Sequence, residues 1–365
     1  MKSILFTAKD KAELVEEPMP GALSGEVVVR LVRSCISSGT ERANVTGVPD
    51  GATGIFGDEN DMRVTFPRRG GYSSSGVVES VGKGVTSVKP GDRVVMSWSW
   101  HKQYMNLPEN QVYRIPDNVS FQDAAFAHIA TFPSAAIRKC KLEFGEPAIV
   151  MGQGVLGQMA VKLMKAAGAA PVIAADPIPE KRKQALALGA DFAFDPLAPD
   201  FAAQVKAVTE SDHRTHMGRK SDAGAKVAIE VAGNGVALNS VLNAVAPFAR
   251  VALLGCTRNS DFTINSYRNV HAQGVSLVGA HTMARPDAES FNGWWTTRDD
   301  AKTFLKLLSL GRISLDGFVE EIHSPAECGE VYGRLAAGGA FPVVQFDWTR
   351  LENEVPLEFQ RKINN

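Results

Sequence analysis

A chain of 365 residues exceeds the roughly 250 to 300 residues at which a single hydrophobic core stops growing, so two domains are expected. Its 44% hydrophobic and 22% charged residues are those of a folded globular protein and exclude disordered and fibrous classes. A net charge of -1 and a pI near 6.7 leave no surplus of Lys and Arg for a polyanion, so nucleic acid is excluded as an expected partner.

The opening MKSILFTAKDKAELVEEP places acidic residues where a signal peptide would carry its long apolar region. No run approaches the roughly 20 apolar residues needed to cross a bilayer, so a cytoplasmic protein with no membrane partner is expected. Cys35, Cys140, Cys256 and Cys328 lie far apart with no CxxC pair, which suits buried, reduced thiols better than a metal site or a disulfide framework.

From Met1 to about Gln111, short apolar runs such as EVVVRLVRS and GDRVVMSWSW alternate with Gly, Pro, Ser and Asp. This predicts short strands joined by turns, a mostly β region of barrel or sandwich type. The segment IPDNVSFQDAAFAHIATFPSAAIRKC then opens like a helix, with Asn118 or Ser120 available as cap.

Beyond it strands and helices alternate. The pattern predicts strands 148–151, 172–176, 192–195, 227–231 and 251–255, with helices 156–167, 180–188, 201–209 and 236–246 between them. Repeated βα units specify a parallel sheet covered by helices on both faces, an α/β fold. The stretch SDHRTHMGRKSDAGAK from Ser211 to Lys226 reads as a solvated loop, because His213 and His216 lack companions at metal-ligand spacing. From about Met283 a helix in AKTFLKLLSLG and a strand in FPVVQFDW are expected to return to the first domain. The expected division is 1–129 with 284–365 as the substrate domain and 130–283 as the cofactor domain.

The run AIVMGQGVLGQMAVKLMKAAGA places Gly152, Gly154 and Gly157 in G-x-G-x-x-G, directly after a strand and at the mouth of a helix. The first glycine allows the tight turn, the second lets a pyrophosphate approach the backbone, and the third lets helix and strand pack closely. Gln153, Val155 and Leu156 complete this phosphate-facing loop at the helix N-terminus. The next strand ends on Asp176, an acid where the adenosine ribose hydroxyls need an acceptor. Its charge opposes a 2′-phosphate and favours NAD over NADP, although Lys181 and Arg182 lie nearby. The plain alternative is a structural turn with Asp176 as a helix cap; strand, turn, helix and acid falling in order favour the dinucleotide.

SSGTE at Ser37–Glu41, GYSSSGVVESVGKG, PGDRVV, IPDNVS, the glycine motif, EVAGN and LLG together resemble the medium-chain dehydrogenase/reductase superfamily, over almost the whole chain. The resemblance implies a Rossmann doubly wound parallel sheet with a GroES-like β-barrel catalytic domain. It adds Val231, Ala232 and Gly255 to the cofactor contacts, with Arg182, and implies a homodimer or homotetramer.

Zinc-type members carry Cys-Gly-Thr-Asp and Gly-His-Glu, where this chain reads Ser38-Gly39-Thr40-Glu41 and Gly71-Tyr72-Ser73. Hydroxyls are poor replacements for a thiolate and an imidazole, so no metal is expected. The structural-zinc lobe expected after PGDRVV is missing, the chain continuing as MSWSWHKQYMNLP. Hydride transfer without a metal still needs a proton acceptor and donors for the developing alkoxide. The candidates are Tyr72, Thr40, Ser38, His128 and His101, Tyr72 first because it replaces a metal-binding His. A free tyrosine titrates near about 10 and would need a cationic neighbour to act as a base. Packing is the plain alternative for Tyr72 and for His128. Glu41, Trp98, Trp100, Trp294 and Trp295 are the expected substrate contacts, large aromatic faces suiting a ring-shaped substrate; core packing or a subunit contact is the alternative for the tryptophans.

These residues lead to a zinc-independent, NAD-dependent oxidation of a secondary alcohol, polyol, cyclitol or sugar-like, to a ketone. The alternatives are an NAD(P)H-dependent enone or quinone reductase and a nicotinamide-binding protein without turnover.

Overall fold

The computed structural model describes residues 1–48, 64–209, 223–257 and 262–353. Residues 211–222, with His213 and His216, lie outside the described residues.

The chain forms two compact units, 1–129 with 301–365 and 130–300. In the first, β1 (Lys2–Ala8) and β2 (Lys11–Glu16) form a hairpin. They precede β3 (Glu26–Cys35), α1 (Ser38–Val45), β4 (Ser73–Val81), β5 (Arg93–Ser97), β6 (Tyr104–Pro108), β7 (Val112–Arg114), α2 (Phe121–Ala124) and the start of α3 (Ala127–Lys139). Ser120 caps α2 by accepting the Asp123 N–H at 3.0 Å. Short β-branched runs between glycine turns cannot bury both faces as helices, and they pair instead as an antiparallel sheet. The long β3 binds this sheet together, pairing with β4 and β6, and its register slips twice, between Val28 and Val29 and between Leu31 and Arg33. Such bulges bend a strand and let a sheet curl, as the expected barrel requires.

The C-terminal segment contains α8 (Thr297–Ser309) and supplies β14 (Glu321–His323), α9 (Cys328–Ala337) and β15 (Val344–Asp347) to this unit. Strand β15 pairs antiparallel with β3. Ile4, Phe6, Val29, Leu31, Tyr332, Phe346 and Trp348 meet in one core, so residues from both ends of the chain share a single hydrophobic interior.

The second unit has β8 (Ala148–Met151), α4 (Val155–Ala166), β9 (Val172–Ala175), α5 (Pro179–Ala187), β10 (Phe192–Phe194), α6 (Phe201–Val208), β11 (Ala225–Glu230), α7 (Gly235–Ala244), β12 (Val245–Leu253) and β13 (Ser276–Gly279). The sheet runs β10-β9-β8-β11-β12-β13, all strands parallel. This is the Rossmann order, with the topological switch between β8 and β11, where a dinucleotide is bound outside the carboxyl ends of the strands.

Strand β13 went unrecognised in the sequence because its run is short and it forms the edge of the sheet, with Ser276 and Leu277 exposed. The unit also runs to Asp300 rather than 283. The reason is electrostatic: Arg138 near the end of α3 lies 3.5 Å from the Trp295 ring and 2.8 Å from the buried Asp300 carboxylate, which ties segment 284–300 to this core.

Candidate active site

Chain entry into α1 sets the first half of the site. Ser37 occupies the N-cap position, where a serine hydroxyl ordinarily accepts a first-turn N–H. Here it makes no such bond, and the Tyr72 hydroxyl donates to the Ser37 Oγ instead. Tyr72 reaches it because Gly71 turns the chain in the left-handed region, φ 88°, just before β4.

Opposite stands Trp98, whose φ of 62° is an outlier for a bulky side chain and marks backbone held by its surroundings. Its N–H donates to the Tyr72 carbonyl at 2.9 Å. Its ring lies 4.6 Å from the His128 ring and 6.2 Å from that of Tyr72. His128, on α3, is 5.7 Å from Tyr72, edge to face. Three of the side chains singled out in the sequence, Tyr72, His128 and Trp98, thus come together, and Tyr72 also meets a fourth, Ser37, that was not. A phenol, an imidazole and a hydroxyl beside a half-exposed indole can hold and pass a proton next to an apolar wall.

Ser38 and Thr40 lie in the first turn of α1, both half-buried. The hydroxyl that meets Tyr72 is that of Ser37. Its signal was the N-cap position, hidden because two serines stand side by side.

Glu41 and His101 are not surface groups. Both are fully buried, and the Glu41 carboxylate accepts the Ser37 N–H at 2.7 Å, faces His101 Nε2 at 3.0 Å and accepts the Tyr332 hydroxyl. The readings of Glu41 as a substrate contact and of His101 as a proton acceptor for substrate are corrected accordingly: no substrate reaches a side chain with no exposed surface. Trp100 is engaged elsewhere, with Arg69 at 4.8 Å and Lys102 at 5.1 Å from its ring. Of the other pair, Trp295 is held by Arg138, while Trp294 carries Lys139 at 4.9 Å and remains exposed beside Phe291. Burial, with Arg285 adding to it, pushes Lys139 down to about 8.

In the second unit the glycine loop has the form a dinucleotide needs. Gly152 is left-handed at φ 99°, and a Cβ on Gly157 would sit 1.8 Å from the Gly152 carbonyl oxygen, so only glycine lets α4 close on β8. Gly154 is the N-cap of α4 without a side-chain cap, which leaves the first-turn N–H groups to a phosphate. Gln153 turns its amide inward, donating to the Val150 carbonyl, and Val155 and Leu156 begin the helix. Asp176 follows β9, its carboxylate accepting the Gln153 N–H at 2.7 Å and the Ile178 N–H at 2.9 Å. Arg182 donates to the main-chain carbonyls of Asp176 and Pro177 and lies 3.4 Å from the Asp195 carboxylate.

Val231, Ala232 and Gly255 lie just past the ends of β11 and β12, where the Ala232 N–H lies 3.1 Å from a Cβ built on Gly152. Under this turn Glu230 is buried, accepts the Gly233 N–H at 2.8 Å, and is pushed up to about 7 by burial. These residues fit a nicotinamide dinucleotide.

The chain matches two consecutive families, the alcohol dehydrogenase GroES-like domain over residues 24–140 and zinc-binding dehydrogenase over residues 155–295. It is a member of the medium-chain dehydrogenase/reductase superfamily. As such it is an NAD(P)-dependent dehydrogenase, an oxidoreductase acting on CH–OH groups of small molecules. The D-guloside 3-dehydrogenase of Escherichia coli (strain K12) is 26% identical over 345 residues, 91% of this chain and 95% of its own. The (R,R)-butanediol dehydrogenase of Bacillus subtilis (strain 168) is 28% identical over 204 residues, 49% of this chain and 56% of its own. Galactitol-1-phosphate dehydrogenase from Escherichia coli superposes with a TM-score of 0.76 at 18% identity, over 95% of this chain and 100% of that one, a likeness of fold.

Among the described residues no helix is long and apolar enough to cross a membrane. Cys35, Cys140 and Cys328 are buried free thiols, whereas Cys256, just past β12, is exposed and departs from the expectation for all four.

Proposed function

We propose that this dehydrogenase oxidises a secondary alcohol, of the polyol, cyclitol or sugar class, to a ketone with NAD as hydride acceptor and without zinc. The observation that carries this reading is the Tyr72–Ser37 hydrogen bond beside His128 and Trp98. Tyr72 is the residue that replaces the metal-binding His of the zinc-type pattern, and Ser37, which it meets, directly precedes Ser38, the residue in place of the pattern's Cys. Zinc favours thiolate, imidazole and carboxylate donors, and among the described residues no three His, Cys, Asp or Glu stand together in a way that could hold a metal.

In this reading the nicotinamide supplies the hydride acceptor when bound. Tyr72, as its phenolate with the Ser37 hydroxyl turned to donate to it, takes the hydroxyl proton of the substrate and becomes the neutral phenol, and the half-exposed Trp98 ring offers an apolar face to a sugar or cyclitol. Asp176 supports NAD, since a carboxylate just past β9 would oppose the charge of a 2′-phosphate. The full-length likeness to a protein named for oxidising a guloside supports a sugar-like substrate. A homodimer or homotetramer fits the uncovered sheet edge at β13, where Leu277 is exposed, and a cytoplasmic site fits the buried free thiols.

The test is reduction of NAD or NADP by chelator-treated protein over a panel of polyols, cyclitols, sugars and simple alcohols. Turnover with NAD on a ring-shaped or polyhydroxylated member is expected. Loss of activity on chelation, or turnover with NADP and enones alone, would overturn the reading.

A further inference from the structure

The first turn of α1 departs from ordinary capping in a specific way. A serine N-cap and a carboxylate reaching back to its N–H are two halves of a capping box. Here the carboxylate comes from Glu41, four residues on rather than the three of a capping box, and accepts the Ser37 N–H at 2.7 Å, while the serine hydroxyl makes no cap bond and is directed to Tyr72.

Glu41 is in turn held from two further directions. Tyr332 on α9 donates its hydroxyl to Oε2, and His101, after β5, faces the same oxygen at 3.0 Å. His101 Nδ1 lies 2.7 Å from the Ser34 Oγ, which also accepts the Trp348 indole N–H at 2.9 Å. Proton polarity closes consistently along this line. Ser34, having accepted from Trp348, donates to His101 Nδ1, which leaves Nε2–H to donate to Glu41. The carboxylate therefore receives three donors, and Ser37 is the one that leads to the site.

The backbone is shaped around the group. A Cβ on Gly70 would lie 2.8 Å from the Glu41 carboxylate, and one on Gly71 would lie 3.0 Å from the His101 ring. The two glycines immediately before Tyr72 thus let its segment close down on Glu41 and His101. A buried carboxylate costs several kcal/mol in desolvation unless its donors repay it, and a hydrophobic triad of equal volume would serve packing alone.

We propose that Glu41, with His101 and Tyr332 as its supports, is a positioning residue that holds Ser37 in register with Tyr72. The inference rests on the reading of Tyr72 as the proton-handling group, but its test needs no substrate. With isotope-labelled tyrosine the five tyrosines are told apart by single Tyr→Phe variants, and the phenol-carbon resonance of Tyr72 reports its hydrogen bond directly. Tyr332→Phe removes one donor and keeps both the carboxylate and the aromatic packing. Tyr332 connects to Tyr72 through Glu41 and then either Ser37 or His101, whose N–H donates to the Gly70 carbonyl at 3.2 Å, so a shifted Tyr72 resonance in Tyr332→Phe that disappears when both proteins also carry Ser37→Ala, and a larger shift in Glu41→Gln, are expected. An unchanged Tyr72 resonance in Tyr332→Phe, with only a lower Tm, would reduce Glu41 to a structural anchor and overturn the proposal, whether or not Glu41→Gln folds. On a turned-over substrate, kcat should fall on the order of 10- to 100-fold in Glu41→Gln with the KM for NAD unchanged. Failure to find any substrate would count against the function and leave the resonance result standing.

Discussion

The Asp176 carboxylate accepts the Gln153 N–H at 2.7 Å, so the acid at the end of β9 is joined to the first turn of the glycine loop. One oxygen therefore orders the loop, while in the proposed reading the same group is the acceptor for ribose hydroxyls. Asp176→Ala is expected to weaken NADH binding on the order of 10- to 100-fold, about 1.4 to 2.8 kcal/mol, and to narrow the preference over NADPH. Fluorescence titration of both reduced cofactors checks it; an unchanged NADH Kd would remove Asp176 from the cofactor site.

Tyr72→Phe keeps the ring against Trp98 and His128 and removes the hydroxyl bonded to Ser37. Loss of a general acid–base group costs roughly 10²- to 10⁴-fold in rate. The variant is expected to lose that much kcat while binding NADH within about twofold of the parent protein, the proposed cofactor contacts being those of the glycine loop. Steady-state rates and cofactor titration on the same samples separate the two effects.

Metal content is measurable without a substrate. Elemental analysis of protein purified without chelator is expected to find no stoichiometric zinc, and added chelator should leave Tm where it was. One zinc per chain, lost together with activity, would replace the Tyr72–Ser37 account by metal chemistry.

Glu230 makes stability depend on pH. Burial raises its folded-state pKa from 4.5 to about 7, so the folded protein holds this proton more tightly than the unfolded chain. Its contribution is complete below about 4.5 and is lost as pH rises through about 7, a term on the order of 3 kcal/mol. Glu230→Gln keeps an acceptor for the Gly233 N–H and removes the charge. The fall in Tm between pH 5 and pH 8 should therefore be smaller in the variant. An equal fall in both proteins would show that Glu230 is not the group responsible.

Much of this was legible in the residues. The Rossmann strands 148–151 and 172–176 were expected within a residue of where they lie, because each is a fully buried apolar run closed by a turn. Tyr72 was singled out by what it replaces. Ser37 was not, since nothing local distinguishes it from Ser38; only the Tyr72 hydroxyl, 35 residues away, selects it. Glu41 and His101 were recognised as unusual and given the wrong surroundings, since polarity in sequence is the same for a buried acid and an exposed one.

By itself the sequence determined the two-part architecture, the glycine loop and the acid at Asp176, all of which depend on spacings within a few tens of residues that periodicity and turn chemistry report directly. Only the tertiary structure decided which hydroxyl meets Tyr72, that Glu41 is enclosed, and that β13 completes the sheet. The reason is the range of the contacts: Tyr332 reaches Glu41 across 291 residues of chain, and whether a carboxylate is solvated or surrounded by donors is settled by elements that meet only when the chain has folded.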